Sequence, residues 1–302
     1  MWAELSLAAG GLQTARNALA RSLVGRASPA LVSWARFAFN LPFSAALVAW
    51  LRVRSGAAAT PPDFLGLCAA TAVAQLLGNV ALVAAFRRAN FAESIALHKL
   101  EVVFTAFVGA LFFAERPSPV GWLGVAACGA GVLLLNLGRG RGPAGLRRAF
   151  HLDAGALLAI GCGLLLVLAS FSLKEANERF ALANPRVGAG RFEAAASTLF
   201  HTTWMEVALL TGWLVLRERG ALPSVRRLWP RMLAIGAAGF GASLCWFWAY
   251  SLTLVAYVKA VGQVETVLAV ALALLVWRER DVVAQLPGLA LLLAGIALVL
   301  LR

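Results

Sequence analysis

The chain has 302 residues, of which 61% are hydrophobic and 14% charged, with a mean hydropathy of +0.80. Soluble domains average about 45–50% apolar and about 25% charged residues, so the composition excludes an ordinary soluble enzyme and points to a polytopic membrane protein. A spanning helix takes about 20 apolar residues, so ten helices use about 200 and leave no room for a large extramembrane domain. The 27 basic residues against 14 acidic ones give a net charge of +13, and only Lys99, Lys174 and Lys259 are lysines. The arginines collect at the ends of apolar stretches, where they meet lipid headgroups. A nucleic-acid partner is therefore not expected.

Apolar stretches and breaks predict ten spans, near 2–20, 29–51, 64–86, 94–113, 119–137, 153–173, 193–216, 232–253, 257–277 and 282–301. Ser28-Pro29 opens the second and Thr60-Pro61-Pro62-Asp63 precedes the third. Glu115-Arg116-Pro117 separates the fourth from the fifth. The first span carries Gln13, Thr14, Arg16 and Asn17. Lipid cannot solvate these groups, so this helix is expected to face protein or a cavity. The stretch from Trp2 to Leu12 has no basic start, so no cleavable signal is expected. Cys68, Cys128, Cys162 and Cys245 stand singly in apolar stretches and read as small buried hydrophobes.

Gly138 to Arg148 alternates Gly, Pro and Arg without apolar periodicity and reads as a linker. It divides the chain into halves of five spans. A shift of 164 positions lays Glu101 on Glu265, Glu115-Arg116 on Glu279-Arg280, Gly124 on Gly288 and Gly131 on Gly295. An odd number of spans per repeat forces the second copy to enter from the opposite side, a design that recurs in secondary transporters. The expected fold is all-α. Ten transmembrane helices form two inverted five-helix repeats, 1–138 and 152–302, joined by a basic linker at 139–151.

Ionisable groups at membrane depth face cavities or pair with one another. Arg36 lies in the second span, Lys99 and Glu101 in the fourth, His201, Trp204 and Glu206 in the seventh, and Lys259 and Glu265 in the ninth. For Glu206, and for either lysine near an interface, snorkelling or a structural ion pair is the plainer expectation. Helical spacing puts His98, Glu101 and Thr105 on one stripe and points Lys99 elsewhere. Trp246 and Tyr250 are four residues apart and can line a cavity together. The candidate substrate-contacting residues are Arg36, Lys99, Glu101, His201, Trp204, Trp246, Tyr250, Lys259 and Glu265. Glu265 has no cation within a turn of its own helix, so it reads as the coupling acid. Glu101, close to His98 and Lys99, reads as the group that holds substrate.

The three histidines lie far apart and there is no H-E-x-x-H, nucleophile elbow or phosphate loop. No enzyme activity, cofactor or metal is called for, and ATP cannot drive the chain directly.

Ten spans in two repeats, each with a glutamate fourteen residues before a Glu-Arg and then a glycine-bearing helix, resemble the EamA-type transporters of the drug/metabolite transporter superfamily. The resemblance covers the whole chain, although neither Glu101 nor Glu265 is followed by the proline usual there. It implies a multi-pass transporter in the plasma (inner) membrane of a prokaryote, most often an exporter, as a monomer or homodimer. The mixed charges favour a zwitterionic or amphiphilic, amino-acid-like metabolite moved by alternating access, with protons as the candidate coupling ion. The alternatives are an organic-anion transporter and a non-transporting scaffold or sensor. Orientation carries opposed signals. Fifteen loop cations lie on the linker side and eight on the side of the termini. The positive-inside rule therefore puts the linker in the cytoplasm, whereas the resemblance implies that the termini lie there.

Overall fold

A computed structural model describes residues 1–23, 26–86, 97–138, 154–185, 190–275 and 285–302. The linker and the Glu279-Arg280 pair lie outside the described residues. Helices run over Trp2–Arg21 (α1), Pro29–Ala38 (α2), Leu41–Ser55 (α3), Pro62–Phe86 (α4), Glu101–Phe112 (α5) and Pro119–Gly138 (α6). They continue over Ala154–Ala183 (α7), Arg191–Arg217 (α8), Ser224–Tyr250 (α9), Val255–Gly262 (α10), Val264–Leu275 (α11) and Leu286–Leu300 (α12). Among the described residues there is no strand. Among the described residues, six stretches are long and apolar enough to cross a membrane: Pro29–Ser55, Pro62–Ala85, Ala154–Ala183, Arg191–Arg217, Ser224–Tyr250 and Val255–Leu272.

The expected punctuation sets the helix starts. Pro29 opens α2, and the Ser28 hydroxyl caps it by accepting from the Leu31 amide at 3.2 Å. Pro62 and Pro119 open α4 and α6. Several boundaries differ from expectation. The second span is two helices, because Phe39 and Asn40 interrupt it. Gly236 of α9 lies against the Phe39 backbone, where a Cβ would collide, so the break is packed as well as local. The sixth span runs ten residues further, to Ala183. Its polar end stays helical because Arg179 bonds Glu175 at 2.8 Å and Asn177 donates to the Phe247 carbonyl at 2.9 Å. The eighth starts at Ser224 rather than 232.

The chain forms two compact units, Met1–Val73 with Ser172–Leu252 and Ala74–Phe171 with Thr253–Arg302. In the first unit α1 packs along α9, while α8 packs on α2, α3 and α9. The polar stripe of α1 faces protein only in part. Thr14 and Arg16 are buried, and the Gln13 amide oxygen accepts from the Trp246 indole at 3.2 Å, whereas Asn17 is exposed and accepts from Arg16 at 3.0 Å. Leu31, Ala35, Leu214, Met232 and Ile235 fill the core beside them.

The second unit is built on α6 and α12. A Cβ on Gly124 would lie 2.9 Å from the Gly295 carbonyl oxygen, and one on Gly131 would lie 2.9 Å from that of Gly288. Low numbers thus meet high ones, so the two helices run antiparallel with backbones in contact, an approach that only glycine permits. These are the glycines that the 164-residue shift superposes. Many large apolar side chains are exposed across both units, Leu111 and Phe112 among them, while Thr71, Thr105, Thr198, Thr202 and Gln263 are buried. That is the distribution expected when lipid is the solvent. Cys68, Cys128 and Cys162 are buried free thiols, as expected, and Cys245 is a partly buried one.

Candidate functional site

The fourth and ninth spans tighten at places one residue apart in the 164-residue register, Leu100 and Gln263. The Leu100 amide donates to the Leu97 carbonyl, and the Val103 amide to that of Leu100. At Gln263 the bonds run to Ala260 and from Thr266 in the same three-residue pattern. Short 3₁₀ turns inside a helix mark hinges or strain. Here each turn leaves a glutamate in the first turn of the helix that follows, Glu101 in α5 and Glu265 in α11. Helix N-termini favour negative charge, and interrupted helices near the midplane are where transporters hold ligands.

The lysines are shared crosswise. Lys99, beside the first turn, donates to Glu265. Lys259, one turn before the second, donates to Glu101 at 3.5 Å and to the Leu166 carbonyl of α7 at 3.2 Å. Each acid thus takes the cation of the other repeat. Both carboxylates are 14% exposed and Lys259 is 5% exposed. Neither pair snorkels. The Glu265 that sequence spacing leaves without a near cation has Lys99 on it. Local helical spacing sees partners on the same helix, and this one arrives from another.

Small and soft groups close the surroundings. Gly163 of α7 lies against the His98 carbonyl, 3.2 Å from where its Cβ would be, which lets α7 approach the first turn. The Cys162 sulfur is 3.9 Å from His98 Nδ1. Thr105 donates to the Glu101 carbonyl at 2.6 Å, as the His98–Glu101–Thr105 stripe implies.

The other candidates lie in the first unit. Arg36 stacks over the Phe37 ring at 4.9 Å. Trp246 and Tyr250 stack with centroids 5.8 Å apart, as their spacing implies. His201 packs edge-on to Phe64 and Phe200, with Nδ1 2.8 Å from the Ser197 carbonyl. Trp204 is exposed. The structure therefore brings together Lys99, Glu101, Lys259 and Glu265. It packs His201 among aromatic rings and turns Trp204 outward.

One role was missed. Glu115, the end-of-span acid of the repeat motif, is buried, and its Oε2 accepts from the Val255 amide at 2.8 Å. It caps α10, the helix that carries Lys259. The recurrence of Glu-Arg signals that the residue matters, but only the fold shows that its partner lies 140 residues away.

No group of three or more metal-ligating side chains occurs among the described residues. A search of curated proteins finds no match. Among 26 solved chains that do match, one crystal structure shares the fold at a TM-score of 0.73 and 18% identity, covering 99% of this chain and 98% of that one. The model of the EamA-like transporter family matches twice, over residues 6–137 and 186–301. The chain therefore belongs to the EamA-like transporter family and is a polytopic membrane transporter of the drug/metabolite type.

Proposed function

We propose that the protein is a secondary transporter that exports a zwitterionic, amino-acid-like solute by alternating access, with its binding centre at the crossed pairs Lys99–Glu265 and Lys259–Glu101. The crossed pairing carries this reading. A zwitterion entering such a pair offers its ammonium to the glutamate and its carboxylate to the lysine, so every buried charge keeps a partner. A simple cation would leave a lysine alone and a simple anion would leave a glutamate alone. Stranding one member of a buried pair costs about 3–5 kcal/mol, or roughly 150- to 5,000-fold in affinity. Electroneutrality therefore favours the zwitterion over a permanent cation or an organic anion.

Repeats at 1–138 and 152–302, joined by the linker at 139–151, supply the two halves of the cycle. The antiparallel contact of α6 with α12 supports their inversion, since these helices carry superposed glycines. Uptake and counterflow in proteoliposomes, with a panel of amino acids, organic anions and quaternary amines, test the substrate class. The expected result is saturable counterflow of zwitterionic amino acids alone. Selective transport of permanently cationic dyes would overturn the assignment.

A further inference from the structure

A buried acid outside the crossed pairs lies in the first unit. Glu206 is the sixteenth of the 27 residues of α8. At 1.5 Å per residue it stands about 22 Å from one end of the helix and about 16 Å from the other. It is 2% exposed, and its Oε1 is buried with no hydrogen-bond donor. It does not snorkel. Thr202 and Thr198, one and two turns earlier on the same face, are buried too.

The charges around it are few. Arg36 of α2 is the charged group that acts on Glu206 among the described residues. Arg16 of α1 lies with Arg36 against Gly239 of α9. Arg52 of α3 is engaged by Glu193 and Ser197, both more than two turns before Glu206. α9 carries Arg226, Arg227 and Arg231 in its first turns and Cys245 further on, and none of them acts on Glu206. α4 brings Cys68, whose thiol faces Thr202. On α8 itself, His201 is turned to Phe64 and Phe200.

An ionised carboxylate with an empty buried oxygen is expensive at membrane depth, whereas the neutral acid is not. Protonation removes that cost from Glu206, and a closer approach of Arg36 would offset it. Glu101 and Glu265 differ in having a lysine within bonding distance. We propose that Glu206 binds the proton that the transport cycle couples, with Arg36 as its counter-ion in the ionised state. The step is simple proton exchange, in which hydronium gives its proton to the carboxylate and leaves water. The coupling role rests on the transport reading above, but proton binding itself does not.

Infrared difference spectroscopy of the full-length protein in lipid, titrated with pH and without substrate, tests the site. Wild type should show a carboxylic-acid carbonyl band that titrates. Glu206→Gln should lose it, Glu206→Asp should retain one at a shifted position, and Arg36→Met should move its titration. In proteoliposomes loaded with leucine, Glu206→Gln should keep counterflow. It should lose pH-gradient-driven accumulation, which one proton and a one-unit gradient can raise about tenfold. A titrating carboxyl signal that is identical in wild type, Glu206→Gln and Arg36→Met overturns the proposal, as does gradient-driven accumulation in Glu206→Gln. If Glu206→Gln does not fold, the Asp and Met variants decide by their bands. If wild type shows no counterflow with the amino-acid panel, the transport reading fails and the infrared titration still decides the proton site.

Discussion

Lys99 donates to Glu265, the repeat image of the glutamate two residues after Lys99 in its own span. Lys259 returns the relationship by donating to Glu101. The two carboxylates occupy matching positions, but their cations do not, since Gln263 and not a lysine matches Lys99. The fourth and ninth spans are thus tied by two ion pairs of unlike origin.

Removing one partner should hurt more than removing both. Lys99→Met removes the lysine that donates to Glu265 and should destabilise the protein by about 3–5 kcal/mol, while Lys99→Met combined with Glu265→Gln should recover most of that loss. Thermal unfolding in detergent reads the difference.

The glycine contacts predict opposite signs for one substitution. Gly131→Ala drives a methyl to within 2.6 Å of the Leu292 amide and should cost about 1–3 kcal/mol. Gly161→Ala meets nothing within 4 Å in the interior of α7 and should gain up to about 1 kcal/mol. Melting temperatures of the two variants should move in opposite directions.

Loss of the Glu115 cap should loosen α10 first. Glu115→Ala removes the acceptor of the Val255 amide, at a cost of about 1–2 kcal/mol. Hydrogen exchange should speed up at the start of α10, with little change in α12.

The tether of α1 should be non-additive. Gln13→Leu leaves the Trp246 indole N–H without this acceptor and should cost about 1–3 kcal/mol, whereas adding Trp246→Phe should restore much of it. Chemical denaturation of the two variants in detergent measures the coupling.

Much of the architecture was legible because lipid imposes a strong rule. Apolar length gave the spans, and Ser28-Pro29, Pro62 and Pro119 gave the starts of α2, α4 and α6. The repeat was legible in rare residues, Glu101 against Glu265 and Gly124 and Gly131 against Gly288 and Gly295. Long-range contact was not. The break at Phe39–Asn40 depends on Gly236 of another helix, and the extension of α7 depends on Asn177 finding the Phe247 carbonyl. Helical spacing pointed Lys99 away from Glu101 but could not say toward what. It also read Glu206 as a snorkelling or structural acid, because burial of its carboxyl oxygen is a property of the packed unit.

The most direct test of the crossed-pair site is leucine counterflow by the Lys99→Met/Glu265→Gln double variant. Neutral isosteres can replace a buried pair that only ties helices together. They cannot replace one that exchanges partners with substrate. If the pair receives the zwitterion, the double variant keeps most of the wild-type stability and its counterflow falls at least about 100-fold, as loss of both ionic partners implies. A stably folded double variant with wild-type counterflow would contradict the site.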